Sequence, residues 1–407
     1  MQIRGDVAAI SRDVRENGDA ALDRYTLTFD GVLPENIEVP HEAILEAAAN
    51  LDPSLTEAME KAAANIRHYH SKQKPTPFEE RMDNGIILGR KCRPMHSVGL
   101  YIPGGRASYP STVLMAAIPA KIAGVGKIIM ATPPNKKGFA DPAVLAAAAL
   151  AGVDQVFLVG GVQAIAAMAY GTASIPKVDK IVGPGNVYVD AAKRRLYGEV
   201  DIDMTAGPSE ILVLADESAT PAYIAADMLS QAEHDVMASA ILVTHSQTLA
   251  EKTLWEIQRQ VPYLPRKPVI DRSLAEFCAV MLTNNVEESV ELANLLAPEH
   301  LEVMLDNPMD YVDRLHNAGS LFLGHYTPEA LGDYFAGPNH VLPTGFTARF
   351  FSPLSVESFL KYYSYTYYPR EELLAAAPYI RKLAEQEGFG AHAGAISIRQ
   401  EEDPSAL

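Results

Sequence analysis

Gln155-Val156-Phe157-Leu158-Val159-Gly160-Gly161 is a short apolar run that breaks on two glycines, and Gln163 to Tyr170 after it has helical character. Lys180-Ile181-Val182 then leads into Gly183-Pro184-Gly185-Asn186 and another helix-like segment. A brief apolar run bounded by turn residues reads as a strand buried on both faces. Strand, glycine turn, helix, strand is the βαβ unit, whose repetition builds a parallel, doubly wound sheet. The pattern extends outward. Upstream, Val98-Gly99-Leu100-Tyr101-Ile102-Pro103-Gly104-Gly105 is a strand entering a turn, Thr112 to Ala123 a helix, Lys127-Ile128-Ile129-Met130-Ala131 a strand and Pro142 to Ala151 a helix. Downstream, strands at 210–215, 240–244, 280–282, 301–304 and 321–323 alternate with helices at 223–229, 249–260 and 286–296. Two α/β units in tandem are predicted, although no residue-level repeat relates them.

The flanks differ. Residues 1 to about 73 read as amphipathic helices; Pro53 starts one of them with Asp52 as its cap. His68 and His70 form an HxH pair on a polar helix end and are read as a solvated face. Tyr362, Tyr363, Tyr365, Tyr367 and Tyr368 crowd an aromatic segment, a helix follows from Arg370 to Glu387, and a small C-terminal domain is expected to start near 355.

Bulk properties set outer limits. At 407 residues the chain exceeds one compact core, and 48% hydrophobic with 21% charged residues is globular composition. A net charge of −17 argues against polyanionic partners, so no nucleic acid and no membrane surface is expected. Two cysteines, Cys92 and Cys278, offer no disulfide framework. Met1 to Asp6 lacks the apolar core of a secretion signal, and the most apolar stretch, Ala143 to Val153, is too short to span a bilayer. A cytoplasmic enzyme is the expectation.

Chemistry concentrates in four places. Glycine turns at strand ends expose backbone N–H groups suited to phosphates, and three qualify: Pro103-Gly104-Gly105, Gly160-Gly161 and Gly183-Pro184-Gly185-Asn186. None is a GxGxxG fingerprint opening the first βα unit, so the motifs alone support nucleotide binding weakly against plain βα turns. Ser230-Gln231-Ala232-Glu233-His234 ends a helix-like run, and either Ser230 or Gln231 shares a helical face with His234, which is half a metal site. Pro298-Glu299-His300 sets a carboxylate beside an imidazole at a strand start. Gly332-Asp333 with Asn339-His340, and Glu387 with Gly390-Ala391-His392, add acids and imidazoles on glycine-bounded segments. Each has a bland alternative in capping or surface polarity; together they offer nitrogen and oxygen ligands and a spare Glu–His pair for proton transfer.

In order, Tyr101-Ile102-Pro103-Gly104-Gly105, Val159-Gly160-Gly161-Val162-Gln163-Ala164-Ile165-Ala166-Ala167, Lys180 to Asn186, Ala206-Gly207-Pro208-Ser209-Glu210, Ser230 to His234, Pro298-Glu299-His300-Leu301, Gly332-Asp333-Tyr334 with Asn339-His340-Val341-Leu342-Pro343-Thr344, and Gly390-Ala391-His392 resemble the motifs of the histidinol dehydrogenase family. The resemblance runs from Asp13-Val14-Arg15 to Ile398-Arg399. It implies an α/β fold of two tandem incomplete Rossmann-like doubly wound domains plus a small helical C-terminal domain. Residues 1–100 with 209–354 would carry most of the zinc and catalytic site, 101–208 would bind NAD, and 355–407 would contribute to a partner chain's site.

The implied reaction is a two-step, four-electron oxidation of L-histidinol through L-histidinal to L-histidine, reducing two NAD⁺. One Zn²⁺ per subunit would be held by Gln231, His234, Asp333 and His392. His300 would take the alcohol proton, and Glu299 would activate the water that adds to the aldehyde. Ser209, Gln231, His234, His300, Asp333, His340, Glu387 and His392 would contact substrate, and Tyr101, Gln163 and Asn186 would contact NAD. The family is a homodimer in which Glu387 and His392 would act in trans. Phe346 departs from the pattern, since a small residue is commoner there. The alternative is a relative oxidising another polar alcohol, such as a sulfonated diol; Glu387 suits a cationic amino alcohol and would repel a sulfonate. A zinc protein without catalysis is disfavoured by the intact Glu299-His300 pair.

Overall fold

The structure, a computed structural model, describes residues 2–104, 108–205 and 207–401; Gly105 of the first glycine turn and Ala206 before Ser209 lie outside the described residues. Four helices open the chain: α1 (Gln2–Asn17), α2 (Asp19–Asp30), α3 (His41–Ala49) and α4 (Pro53–His70). Strands β1 (Phe78–Arg81) and β2 (Ile87–Pro94) precede the first alternation. That alternation runs β3 (Ser97–Tyr101), α5 (Pro110–Ala123), β4 (Lys127–Thr132), α6 (Pro142–Ala151), β5 (Gln155–Leu158), α7 (Gly161–Tyr170), β6 (Lys180–Val182), α8 (Val187–Leu196) and β7 (Asp201–Ile202). The second runs β8 (Glu210–Ala215), α9 (Pro221–Ala232), β9 (Ser239–Thr244), α10 (Gln247–Gln260), α11 (Lys267–Glu276), β10 (Ala279–Leu282), α12 (Val286–Leu296), β11 (His300–Met304), β12 (Ser320–Leu323) and α13 (Glu329–Tyr334). Strand β13 (Leu360–Tyr367) and helices α14 (Arg370–Gln386) and α15 (Gly390–Ser397) close it.

The chain forms two compact units, Met1–Lys74 with Pro94–Phe359, and Pro75–Arg93 with Leu360–Leu407. In the first unit, two five-stranded sheets have the orders β5-β4-β3-β6-β7 and β10-β9-β8-β11-β12. Every neighbouring pair in them is parallel. Each sheet starts at its centre, adds two strands on one side, then crosses to the other. The same permutation thus occurs twice, and its switch points fall between β3 and β6 and between β8 and β11.

Both faces of these strands are covered, which is why they read as unbroken apolar runs. On the first sheet, Leu100, Ile128, Met130 and Val156 pack with residues of α3 to α6, while Tyr101, Ile129, Phe157 and Ile181 pack with residues of α1, α2, α7 and α8. The N-terminal helices therefore belong with the sheet of 97–202, whereas the sequence reading grouped 1–100 with 209–354. An amphipathic helix advertises an apolar face but not the sheet it covers. Within α4 the predicted start holds: Asp52 accepts from the N–H groups of Ser54 and Leu55, and Pro53 occupies the first turn. The HxH reading does not hold for His70. It is fully buried, its Nδ1 lies 2.7 Å from Gln73 Oε1, and its Nε2 faces Asn339.

The second unit is not only helical. Its sheet has the order β1-β2-β13, so 75–93 joins the tyrosine-rich segment. Tyr363, Tyr365 and Tyr367 alternate at the strand period. Tyr365 donates to Glu79 Oε2 (2.5 Å), and its ring lies 5.1 Å from Lys91 Nζ. Helices α14 and α15 pack on each other. Among the described residues, no helix is long and apolar enough to cross a membrane.

Candidate active site

The first sheet brings its glycine turns together at the carboxyl ends of its strands, beside the β3/β6 switch point, where α/β sheets bind ligands. The Tyr101 hydroxyl, at the end of β3, accepts from Gly161 N–H (3.0 Å), and burial pushes its pKa up to about 12. Gly183 adopts φ +120°, and a Cβ there would collide with the Tyr101 carbonyl. Both main-chain groups of Gly183 are gripped: its N–H donates to Asp203 Oδ2 (2.8 Å), and its carbonyl accepts from Lys193 Nζ (3.0 Å). Lys193 and Asp203 form a buried ion pair. Asn186 caps α8 through Oδ1, accepting from Tyr188 and Val189 N–H, which leaves its amide NH₂ for other partners. Gln163 has no exposure, and neither of its amide atoms has a partner. An orphaned buried amide beside a left-handed glycine turn fits a polar ligand such as a nucleotide.

The acid–imidazole pair sits at the opposite strand end in the second sheet. Glu210 begins β8 and His300 begins β11, the two central strands. Glu299 Oε2 accepts from Glu210 N–H (2.8 Å), and His300 Nδ1 lies 2.9 Å from the Glu210 carbonyl. A carbonyl can only accept, so His300 carries its proton on Nδ1 and its Nε2 keeps a lone pair. That Nε2 is buried, has no hydrogen-bond partner and lies 3.9 Å from Asp333 Oδ1. Burial lowers the His300 pKa, so the imidazole is neutral near pH 7. Burial raises Glu299 well above the usual carboxylate range; the Glu210 N–H opposes this, and the negative charges of Glu210, Asp333 and Glu329 add to it. The main chain around Glu299 is fixed from Gly319 and Ser320, whose N–H groups donate to the Pro298 and Glu299 carbonyls (2.9 Å each). His340 donates Nδ1–H to the Asp333 carbonyl (2.9 Å), and burial lowers its pKa to about 4. Ser209 precedes Glu210 directly, and its carbonyl accepts from Ser239 N–H (3.0 Å).

A metal-ligating cluster adjoins the pair. One ligand atom each from His234, Glu329 and Asp333 lies within 4.8 Å of the others. Gln231, one helical turn before His234, is fully buried with both amide atoms unpartnered. Ser230 is committed elsewhere: its hydroxyl bonds the Asp227 carbonyl (2.8 Å) and Glu329 Oε2 (3.1 Å). Burial, then the neighbouring Glu329, push Asp333 well above the usual range. A buried and a half-buried carboxylate beside an exposed imidazole and an unpartnered amide fit a divalent cation, whose charge would oppose that shift.

Sequence reading missed Glu329 and its supports. Glu329 precedes Asp333 by one helical turn, a spacing that places both on one face. Its N–H donates to buried Glu302 Oε1 (2.7 Å), and burial followed by Asp227 raises the pKa of Glu302. An acid inside the apolar strand Leu301-Glu302-Val303-Met304 was the available signal. Glu387 and His392 belong to the second unit, Glu387 at the end of α14 and His392 on α15 beside the Phe389 ring (5.2 Å between centroids).

Tandem doubly wound sheets, with glycine turns at one strand end and a buried acid–imidazole pair beside a cluster able to hold a metal ion, define an α/β fold with a candidate site for proton transfer and cation binding. The family model for histidinol dehydrogenase matches residues 1–400, and the chain belongs to that family. It is 54% identical over 402 residues to histidinol dehydrogenase of Listeria innocua, covering 99% of this chain and 94% of that one. It is 53% identical over 393 residues to histidinol dehydrogenase of Clostridium acetobutylicum, covering 97% and 91%. The solved structure of histidinol dehydrogenase from Elizabethkingia anophelis superposes with a TM-score of 0.93 at 40% identity, covering 98% and 92%. An acetylating aldehyde dehydrogenase from Geobacillus thermoglucosidasius, at TM-score 0.52 and 15% identity over 90% and 91%, shares the fold alone.

Proposed function

We propose that the protein oxidises L-histidinol to L-histidine in two NAD⁺-dependent steps, with Zn²⁺ as the bound metal. The observation that carries this reading is the unpartnered, buried His300 Nε2, which faces Asp333 while Nδ1 is held by Glu210. Gln231, His234 and Asp333 would hold the metal together with His392 of a second copy of the chain, and Glu329 adds a second carboxylate beside Asp333. Zinc, when bound, would supply positive charge to anchor the substrate through its nitrogen atoms. Tyr101, Gln163 and Asn186 would hold NAD⁺, which would supply the hydride acceptor.

This chain's residues supply the proton chemistry. Neutral His300 takes the alcohol proton on Nε2; its fixed Nδ1–H bond keeps that nitrogen available. Glu299, whose carboxyl burial raises well above the usual range, takes a proton from the water that adds to the aldehyde. Ser209 and His340 orient the substrate, and Glu387 attracts its cationic end. We further propose a cytoplasmic homodimer in which Glu387 and His392 act on the partner's substrate. Zinc-loaded protein should form NADH from NAD⁺ and L-histidinol, and more slowly from other polar alcohols. An absence of NADH with L-histidinol overturns the reading.

A further inference from the structure

Glu210 ends the motif Gly207-Pro208-Ser209-Glu210 and has no role in the reaction as assigned, yet it touches both members of the acid–imidazole pair. Its N–H holds the Glu299 carboxylate and its carbonyl holds His300 Nδ1. A single residue thereby sets the carboxylate position and the imidazole tautomer together, and any shift of its main chain displaces both.

Its side chain ties that main chain down. Oε1 accepts from the N–H of Gly345 (2.9 Å). The turn it reaches is a strained one: Gly345 has φ +61° and Phe346 φ +65°. Phe346 and Ala297 are the two non-glycine residues with positive φ among the described residues, and they flank the site from 344–347 and from the lead-in to Glu299. A bulky side chain in the left-handed region persists only where neighbours hold it. A second tie runs beside the first, since Thr344 Oγ1 accepts from Gly207 N–H. The 344–346 turn and the segment 207–210 are therefore stitched together on both sides of Ser209. Gly345 is exposed, so the Glu210 link adds little to folding, and its effect is local.

We infer that Glu210 is a positioning residue for the proton-transfer pair, acting through its carboxyl link to the strained 344–346 turn; this rests on the proposed roles of Glu299 and His300. The test is steady-state kinetics with L-histidinol and NAD⁺ on the zinc-loaded enzyme. Glu210→Ala should lower kcat at least about tenfold through displacement of the pair, with both KM values and the zinc content unchanged. Glu210→Gln retains an oxygen that can accept from Gly345 and should stay near wild type. A Glu210→Ala enzyme with wild-type kcat, a loss confined to KM, or a Glu210→Gln enzyme as impaired as Glu210→Ala overturns the role. Should Glu210→Ala fail to fold, Thr344→Val cuts the second tie and should lower kcat at unchanged KM; an unchanged kcat there also overturns it. A wild-type enzyme inactive on L-histidinol overturns the underlying reading, whereas an active one with indifferent variants overturns only Glu210.

Discussion

Replacing Lys193 by Met should damage both the fold and nucleotide binding. The side chains of Lys193 and Asp203 are 3% and 1% exposed and form an ion pair. Lys193 also donates to the Gly183 carbonyl (3.0 Å), while Asp203 accepts from the N–H groups of Gly183 (2.8 Å) and Met204 (2.7 Å). Methionine fills the volume but leaves a buried carboxylate without its cation, a change that costs about 3–5 kcal/mol. In a chain of 407 residues that corresponds to a fall in Tm of about 4–6 °C. Gly183 would lose one of its two grips, and the turn leading to Asn186 would lose its fixed shape. A repositioning worth about 1.4 kcal/mol weakens NAD⁺ binding tenfold. Calorimetry gives the melting shift and titration the NAD⁺ affinity, with L-histidinol affinity as the control. Lys193→Met/Asp203→Asn removes the stranded charge and should recover much of the stability. Wild-type melting and wild-type NAD⁺ affinity in Lys193→Met would show that the buried pair neither stabilises the fold nor shapes the Gly183 turn.

Glu299→Gln keeps an oxygen for Glu210 N–H but removes the base, so the aldehyde step should slow by about 10²–10⁴-fold while one NADH per site still forms. Because the folded pKa of Glu299 is raised, its stabilising effect is complete below the unfolded carboxyl range and lost as pH rises through the folded value. The Gln variant should therefore melt higher than wild type at neutral pH; a lower Tm contradicts this. His340 has the opposite sign: its pKa falls from 6.5 to about 4, so stability is complete above pH 6.5 and lost as pH falls toward 4. That difference is about 3 kcal/mol, and urea titrations at pH 7.5 and 4.5 should show a larger acid loss in wild type than in His340→Gln. His392→Asn and His300→Asn, each nearly inactive alone, should regain activity when co-folded as mixed dimers. Persistent inactivity would mean that the site is not shared between chains.

The strands and their order of alternation were legible because strands covered on both faces leave unbroken apolar runs ending in glycine. The Asp52–Pro53 helix start was legible because capping is local. Long-range choices were not. Nothing in 1–70 distinguishes the sheet of β3 from that of β8, and the pairing of β1 and β2 with β13 joins segments far apart in sequence. The tyrosines of β13 read as an aromatic cluster although their alternation marked a strand. Glu299-His300 stood out as a titratable pair at a strand start, and it lies at the amino end of β11 as read; what the sequence could not show is that Glu210, at the amino end of β8, holds both members. Between Ser230 and Gln231 the spacing could not choose, whereas the bond from Ser230 to Glu329 commits that hydroxyl elsewhere. Glu329, Glu302 and Asp227 escaped notice because an isolated acid in sequence looks like surface.

On the proposed roles one site carries out both oxidations, with His300 serving the alcohol and Glu299 the aldehyde. Limiting L-histidinol, excess NAD⁺ and zinc-loaded enzyme, followed at 340 nm with product analysis, test it most directly. Two NADH and one L-histidine are expected for each L-histidinol consumed. One NADH with accumulating L-histidinal would contradict those roles.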